Sequence, residues 1–265
     1  MDLGIEGKRA AVAAASQGLG FATAAALAAE GVQVAICSRD QGKVDDAVAQ
    51  IGHRCIGLVA DVGTAAGASG FIDAATDALG GVDILVPNAG GPPPGTFADV
   101  EDLDAYAKAF ELNALSTIAM CKTAVPAMQE RGWGRVVFIS SESALQIPVE
   151  MVHYGMTKTA QLAVSRGLAE TVAGTGVTVN AVLPGPTLSE GVTDFLGKMG
   201  SSGGSGDLEA AGRAFVKEHR PTSLIGRLAT TDEVASMVAY LCSPAASATT
   251  GAALRVDGGV VRAIV

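Results

Sequence analysis

Short apolar runs alternate with longer stretches of helical character along the whole of this sequence, and that rhythm leaves few folds open. Seven runs read as strands: Arg9–Ala13, Gln33–Cys37, Cys55–Val59, Ile84–Pro87, Arg135–Ser140, Thr178–Leu183 and Ala253–Val256. Several are rich in Val and Ile, as a strand covered on both faces requires. The segments Phe21–Glu30, Lys43–Gln50, Ala65–Leu79, Leu103–Gln129, Tyr154–Ala173 and Asp232–Leu241 read as the helices between them. Strand–helix–strand units of this length close as right-handed crossovers. The expectation is therefore an α/β protein with a doubly wound, seven-stranded parallel sheet flanked by helices. No linker divides the chain and no solenoid period recurs, so residues 1–265 are expected to form a single domain. Aromatic residues make up only 4% of the chain, while aliphatic residues and 34 glycines dominate. That balance suits a covered sheet, or a subunit that buries part of its surface in an oligomer.

The same composition excludes several classes. No apolar run approaches the roughly 20 residues needed to cross a bilayer. The opening Met1-Asp2-Leu3-Gly4-Ile5-Glu6 has neither a basic stretch nor an apolar core of the secretory kind. Cys37, Cys55, Cys121 and Cys242 are widely spaced and form no ligand pattern, so no metal is expected and buried free thiols are. A cytoplasmic protein is the expectation. With a formal charge of −9 and no basic stripe, a nucleic-acid partner is not expected.

The first strand runs into Ala14-Ala15-Ser16-Gln17-Gly18-Leu19-Gly20, and an Ala-rich helix follows. A glycine-rich turn between strand and helix lets backbone N–H groups approach a pyrophosphate at the positive end of the helix. A plain tight turn would show the same two glycines, but the strand–turn–helix setting favours dinucleotide binding in a Rossmann fold. The second strand ends at Ser38-Arg39, where an NAD-type site places a carboxylate for the ribose 2′-hydroxyl. A hydroxyl and a guanidinium there suit a 2′-phosphate instead, so NADP(H) is the expected cofactor.

Tyr154 and Lys158 stand four residues apart, one turn along a helical face. An ammonium beside a phenol lowers the phenol's pKa and makes it a proton donor or acceptor for a carbonyl–alcohol pair. Ser141, at a strand end thirteen residues earlier, offers a hydroxyl to the substrate oxygen as charge develops. Asn113 is a poor helix former in the middle of a helical stretch, which suits either a side chain bonding its own backbone or a polar group held for function.

With these residues in order, the chain resembles the short-chain dehydrogenase/reductase superfamily, in the branch with a YxxxK helix. The likeness covers nearly its whole length. It takes in Asp61-Val62, Pro87-Asn88-Ala89-Gly90, Asn180, Pro184-Gly185 and Asp257-Gly258-Gly259 besides the motifs above. The resemblance implies that Asp61 and Val62 meet the adenine and that Asn88, Ala89 and Gly90 line the ribose. It implies that Lys158 binds the nicotinamide ribose as well as serving Tyr154, and that Asn113 holds a water behind Lys158. Pro184, Gly185, Thr187 and Ser189 would meet the carboxamide. A homotetramer or homodimer is implied too, and small residues (Ala114, Ser116, Ala119, Ala160, Ala163, Gly167) suit such packing. Three positions depart from the pattern: Ala13-Ala14 replaces the usual Thr-Gly, Gln17 stands where a base is common, and Pro87 replaces Asn.

The likeness is to 3-oxoacyl-carrier-protein reductases and related carbonyl reductases. Docking an acidic carrier calls for exposed basic residues. The turn before the sixth strand is Gly174-Thr175-Gly176, although Arg131 and Arg135 lie before the fifth. A small-molecule ketone, 3-oxoester or alcohol is therefore placed ahead of acyl carrier protein. A sugar or polyol dehydrogenase is a further alternative, served by Glu142, Ser143, Gln146 and Glu150. A protein that senses NADP(H) without turnover would be expected to lack Tyr154 or Lys158, and both are present. Gly91 to Phe97, Glu142 to Met151 and His153 are the pocket candidates. A Gly/Ser-rich, weakly patterned segment, 185–224, is expected to form a lid at the carboxyl edge of the sheet.

Overall fold

The computed structural model of the chain describes residues 2–91, 95–100, 102–189, 192–193 and 208–264. Each apolar run expected as a strand is one. β1 (Arg9–Val12), β2 (Gln33–Ser38), β3 (Cys55–Val59), β4 (Ile84–Val86), β5 (Gly134–Ile139), β6 (Val177–Pro184) and a last strand at Ala253–Val256 form one sheet. The order is β3-β2-β1-β4-β5-β6 with the last strand beyond β6, and every pairing is parallel. Successive side chains point to opposite faces, which explains how short aliphatic strands serve two cores. Ala11 and Cys37 face a layer with Phe71, Ile72, Met120 and Phe138. Val12 and Ile36 face the other, with Leu27, Val234, Val238 and Leu241.

The helices are α1 (Gly18–Ala29), α2 (Gln41–Ile51), α3 (Ala65–Leu79), α4 (Leu103–Phe110), α5 (Ser116–Glu130) and α6 (Val152–Thr171). Local chemistry sets several starts. Asp40 caps α2 by accepting from the Lys43 N–H, and Thr64 caps α3 by accepting from that of Gly67. Between α4 and α5 the expected single helix is interrupted by a π-helical turn, Glu111–Leu115, which carries Asn113. Such turns cost regular hydrogen bonding and gather at functional positions.

The described residues of the segment expected to be irregular include regular elements. Thr187–Leu188 (β7) pairs in parallel with Ala229–Thr230 (β8), making the last strand of the large sheet β9. A further helix, α7 (Leu208–His219), buries Gly212 and Val216, with Val216 in a small core beside Leu228. The seed is the apolar spacing Ala211, Phe215, Val216, which the neighbouring glycine-rich run conceals. α8 (Thr231–Cys242) then opens on a capping box between Thr230 and Glu233. The run Ser201–Gly206 and Pro92–Pro94 lie outside the described residues, so those parts of the lid and pocket expectations do too.

After β1 the backbone enters a conformation that L residues avoid. Ala14 has φ +50°, a left-handed value found at no other non-glycine position among the described residues. It is held there by its neighbours: its N–H meets Cys37 Sγ at 3.4 Å, and its carbonyl accepts from Asn88 Nδ2 at 3.2 Å. The Cβ thus shows up as local strain rather than as a displaced turn. Ala14→Gly should accordingly raise stability by about 0.5–1 kcal/mol, because relief of the left-handed strain exceeds the entropy glycine adds to the unfolded chain. Urea denaturation of the two proteins checks this, and a less stable glycine variant would contradict it.

Candidate active site

Because β2 and β3 lie on one side of β1 and β4 to β6 on the other, the chain reverses direction across the sheet beside β1. In open α/β sheets a crevice forms there, at the carboxyl ends of the strands. The turn from β1 to α1 sits at that edge. The N-cap of α1, Gln17, makes no side-chain cap, and the first turn carries no acid. The N–H groups there remain available to an anion. Gly20 is needed for a different reason: a Cβ on it would stand 2.5 Å from Asn88 Nδ2 and 2.7 Å from the Ala14 carbonyl. Asn88 also donates to the Ala13 carbonyl at 3.2 Å, which ties the end of β4 to the turn. Ser16, Gly18 and Leu19 are part-buried in the turn, and Ala89 is buried behind it.

At the end of β2, Ser38 is part-buried and Arg39 exposed. The adjacent carboxylate of Asp40 is turned to the start of α2, accepting from the Lys43 N–H at 3.0 Å. After β3, exposed Asp61 accepts from the Gly63 N–H at 3.0 Å and Val62 is buried. On the far side, Pro184 ends β6, and Thr187 donates its hydroxyl to the Gly185 carbonyl at 2.9 Å. The Ser189 N–H donates to the Thr187 carbonyl at 2.9 Å.

Residues far apart in sequence meet between these two halves. Ser140 donates to the carbonyl of Lys158 at 3.0 Å and so pins α6 to the end of β5. The Lys158 ammonium donates to the Ile139 carbonyl at 2.8 Å and to Gln161 Oε1 at 3.1 Å. It stands 5.6 Å from the centre of the Tyr154 ring. Asn113 is completely buried and donates to Thr157 Oγ1 at 3.0 Å, while its own Oδ1 accepts nothing. That oxygen would lie 2.1 Å from a Cβ on Gly90, and the Lys158 ammonium 3.6 Å from it. An unsatisfied buried acceptor facing a glycine beside a lysine is a place for water or a ligand hydroxyl. Ser141 faces the Tyr154 hydroxyl.

The family described as enoyl-(acyl carrier protein) reductase matches residues 13–261. Over its full length the chain is 40% identical to the whole of an uncharacterized oxidoreductase, YvaG, of Bacillus subtilis. The chain belongs to the short-chain dehydrogenase/reductase superfamily. It superposes on all of the L-sorbose reductase of Gluconobacter frateurii, solved with NADPH and L-sorbose, with a TM-score of 0.92 and 29% identity over 100% of both chains. The 3-ketoacyl-(acyl-carrier-protein) reductase of Brucella melitensis, solved with NADH, gives 0.84 and 27% identity over 97% of this chain and 99% of its own.

As an oxidoreductase of this superfamily, the protein has a crevice whose fittings agree with a nicotinamide dinucleotide: an uncapped helix start, a glycine that admits Asn88, and a buried acceptor beside a lysine. The electrostatics correct one expectation. Burial raises the Tyr154 pKa well above that of an ordinary phenol, Ser141 opposes the rise, and the charge of Glu142 adds to it. Lys158 does not win against this, because the same burial pushes its own pKa down to about 7.

The sequence reading missed three supporting residues. Gln161 donates to the Asn113 carbonyl at 2.6 Å, joining α6 to the π turn, and Thr157 gives its hydroxyl to the Tyr154 carbonyl at 2.8 Å. Both follow Tyr154 at helical spacing, which was the available signal. Arg220 is the third, and nothing near it in sequence advertises it. Of the pocket candidates, Glu142 is buried and pairs with Arg220, and His153 is buried with its ring against Tyr106.

The lowered pKa of Lys158 has a consequence for stability. Between about pH 7 and the ordinary lysine value of 10.5 the unfolded chain binds more protons than the folded one. The contribution of this group therefore makes the fold more stable as pH rises through that window. Lys158→Met should remove that rise, a difference on the order of 2 kcal/mol between about pH 7 and pH 9. Denaturant titrations of both proteins at the two pH values test it, and parallel pH dependence would contradict it.

Proposed function

We propose that this protein is an NADP(H)-dependent oxidoreductase acting on the carbonyl or alcohol carbon of a small molecule, with Tyr154 as general acid and base. The observation that carries the reading is the convergence of Tyr154, Lys158, Ser141 and Asn113 beside Gly90, next to the glycine turn. When bound, the nicotinamide supplies or takes the hydride. The chain's part is to align and protonate. Tyr154, held by Ser141, meets the substrate oxygen, and the proton leaves from or returns to the Tyr154 hydroxyl. Lys158 steadies that hydroxyl and offers donors to the nicotinamide ribose. Asn113 supplies the acceptor that holds a water behind Lys158. Asp61, Val62, Asn88, Ala89, Gly90, Pro184, Gly185, Thr187 and Ser189 line the remainder of the cofactor crevice. Burial raises the Tyr154 pKa, so the hydroxyl holds the proton that carbonyl reduction would draw on.

NADP(H) is preferred over NAD(H) because Ser38 ends β2, Arg39 follows it, and the adjacent acid, Asp40, is spent on capping α2. A small substrate is preferred over a carrier protein because neither basic candidate is free. Arg131 pairs with Asp83 at 3.3 Å and donates to the Val82 carbonyl, while Arg135 is buried against Gly134 and Gly176. An apolar rim supports a ketone or 3-oxoacyl ester. Leu145, Ile147 and Val149 are exposed on one loop, and Leu224 and Ile225 on another. A hydrogen bond from Gln146 to Thr222, 3.4 Å, links the two loops. With the described parts of the segment 185–224, they would form the cover of the site. Ala114 and Ser116 are buried within their own chain, but Ala163 and Gly167 are exposed on α6, which supports assembly with further copies as a homodimer or homotetramer.

The deciding experiment follows oxidation of NADPH and NADH by absorbance against ketones, 3-oxoacyl esters, polyhydroxy ketones and acyl-carrier substrates. Turnover of small ketones or 3-oxoesters with NADPH is expected, and turnover confined to the carrier-bound substrate would redirect the assignment. In the same assay Tyr154→Phe should lose about a hundredfold to ten-thousandfold in kcat and keep its affinity for NADPH. Arg39→Asp should weaken NADPH binding by about tenfold or more and leave NADH nearly unchanged, since a charge-assisted contact of about 1.5–3 kcal/mol is lost. Fluorescence titration with each nucleotide distinguishes these outcomes, and equal losses would refute the phosphate contact.

A further inference from the structure

Beside the candidate active site lies a buried ion pair that the proposed chemistry does not use. Glu142 follows Ser141 directly, at the end of β5, and only 4% of it is exposed. Its Oε2 accepts the Ser141 hydroxyl at 2.6 Å, and its Oε1 accepts from Arg220 Nε at 3.0 Å. Arg220 is 8% exposed and comes immediately after α7. It also donates to Glu150 at 3.3 Å and to the His219 carbonyl at 2.7 Å. A pair this buried contributes little net stability, because desolvating both charges offsets their attraction. Its place in the fold calls for another account.

Ser141 has a single hydroxyl proton, and Glu142 takes it. The remaining capacity of Ser141 is one lone pair filled by the Ser143 N–H at 3.1 Å and one left to face Tyr154. The carboxylate thus sets which way the serine points. Left alone it would also place an uncompensated negative charge beside the phenol, and Arg220 prevents that. We propose that Glu142 and Arg220 are positioning residues for the reaction. Glu142 fixes the direction of the Ser141 hydroxyl, and Arg220 offsets the charge that Glu142 brings beside Tyr154. Arg220 thereby connects α7, on the substrate side, to the strand end that bears Ser141. The proposal rests on the reading of Tyr154 given above.

The charged and titratable groups around Tyr154 come from four places. Lys158 and His153 lie on its own helix, Glu142 after β5, Glu150 on the following loop, and Arg220 after α7. A negative charge disfavours phenolate and a positive one favours it. Removing Glu142's charge must therefore lower the pKa of Tyr154, and removing Arg220's must raise it. A loss of packing alone would not give opposite signs.

The test measures kcat against pH for NADPH-dependent reduction of ethyl 3-oxobutanoate and NADP-dependent oxidation of ethyl 3-hydroxybutanoate. Wild type, Glu142→Gln, Arg220→Met and the double variant are compared, with Tyr154→Phe alongside. The limb that reports Tyr154 should move down by about one pH unit in Glu142→Gln and up by about one in Arg220→Met. The double variant should return to within a few tenths of wild type. KM and NADPH affinity should stay within about twofold, so that the loss falls on kcat. If Arg220→Met does not fold, Arg220→Lys should hold the limb near wild type while Glu142→Gln still moves it down. Single variants that shift the limb the same way, or not at all, overturn the pair while an inactive Tyr154→Phe leaves the main reading intact. Undiminished turnover in Tyr154→Phe removes that reading, and the pair with it.

Discussion

Everything at the site depends on the parallel pairing of β1 with β4, where Val12 lies in register with Val86. That pairing forces the chain to cross from one half of the sheet to the other, so two successive βα turns splay apart and leave a crevice between them. The glycine turn after β1 and the Asn88–Gly90 turn after β4 face each other across it. Asn88 spans them with its amide, donating to two carbonyls of the β1 turn. The strain at Ala14 has the same origin, because a backbone fastened by β2 and by the end of β4 has no freedom to relax.

The other half of the site is a buried polar network in an apolar surround. Lys158 is 3% exposed and has only neutral acceptors in the Ile139 carbonyl and Gln161. Desolvation there works against charge on lysine and phenol alike, so the pair is poised by burial more than by mutual attraction. The further members come from several elements. Asn113 comes from the π turn, Ile139 from β5 and Ser140 from just beyond it, and Thr157 and Gln161 from α6. Such a network rigidifies the strand–helix junction, and the orphaned Oδ1 of Asn113 is its one open valence toward Gly90.

The strands were legible because a parallel sheet buried on both faces demands consecutive apolar residues, and no helix of this chain imitates that in so few positions. Tyr154, Lys158, Ser141 and Asn113 were legible as candidates because their spacing and placement matched a chemistry. Other features were hidden for identifiable reasons. The π turn at Glu111–Leu115 leaves no mark on a sequence that is helical on both sides of it. The helix α7 was masked by the glycines and serines beside it. Arg220 and Glu142 are 78 residues apart, and although Glu142 is a pocket candidate, nothing local names Arg220 as its partner.

By itself, then, the sequence determined the layered α/β architecture, the seven strands of the large sheet and the residue types offered at the crevice, because periodicity and turn chemistry are local properties. Only the tertiary structure decided which charges survive burial, which serine anchors the helix and which faces Tyr154, and which arginine answers Glu142. Those outcomes rest on desolvation and on contacts between distant segments, and both come into being only when the sheet closes.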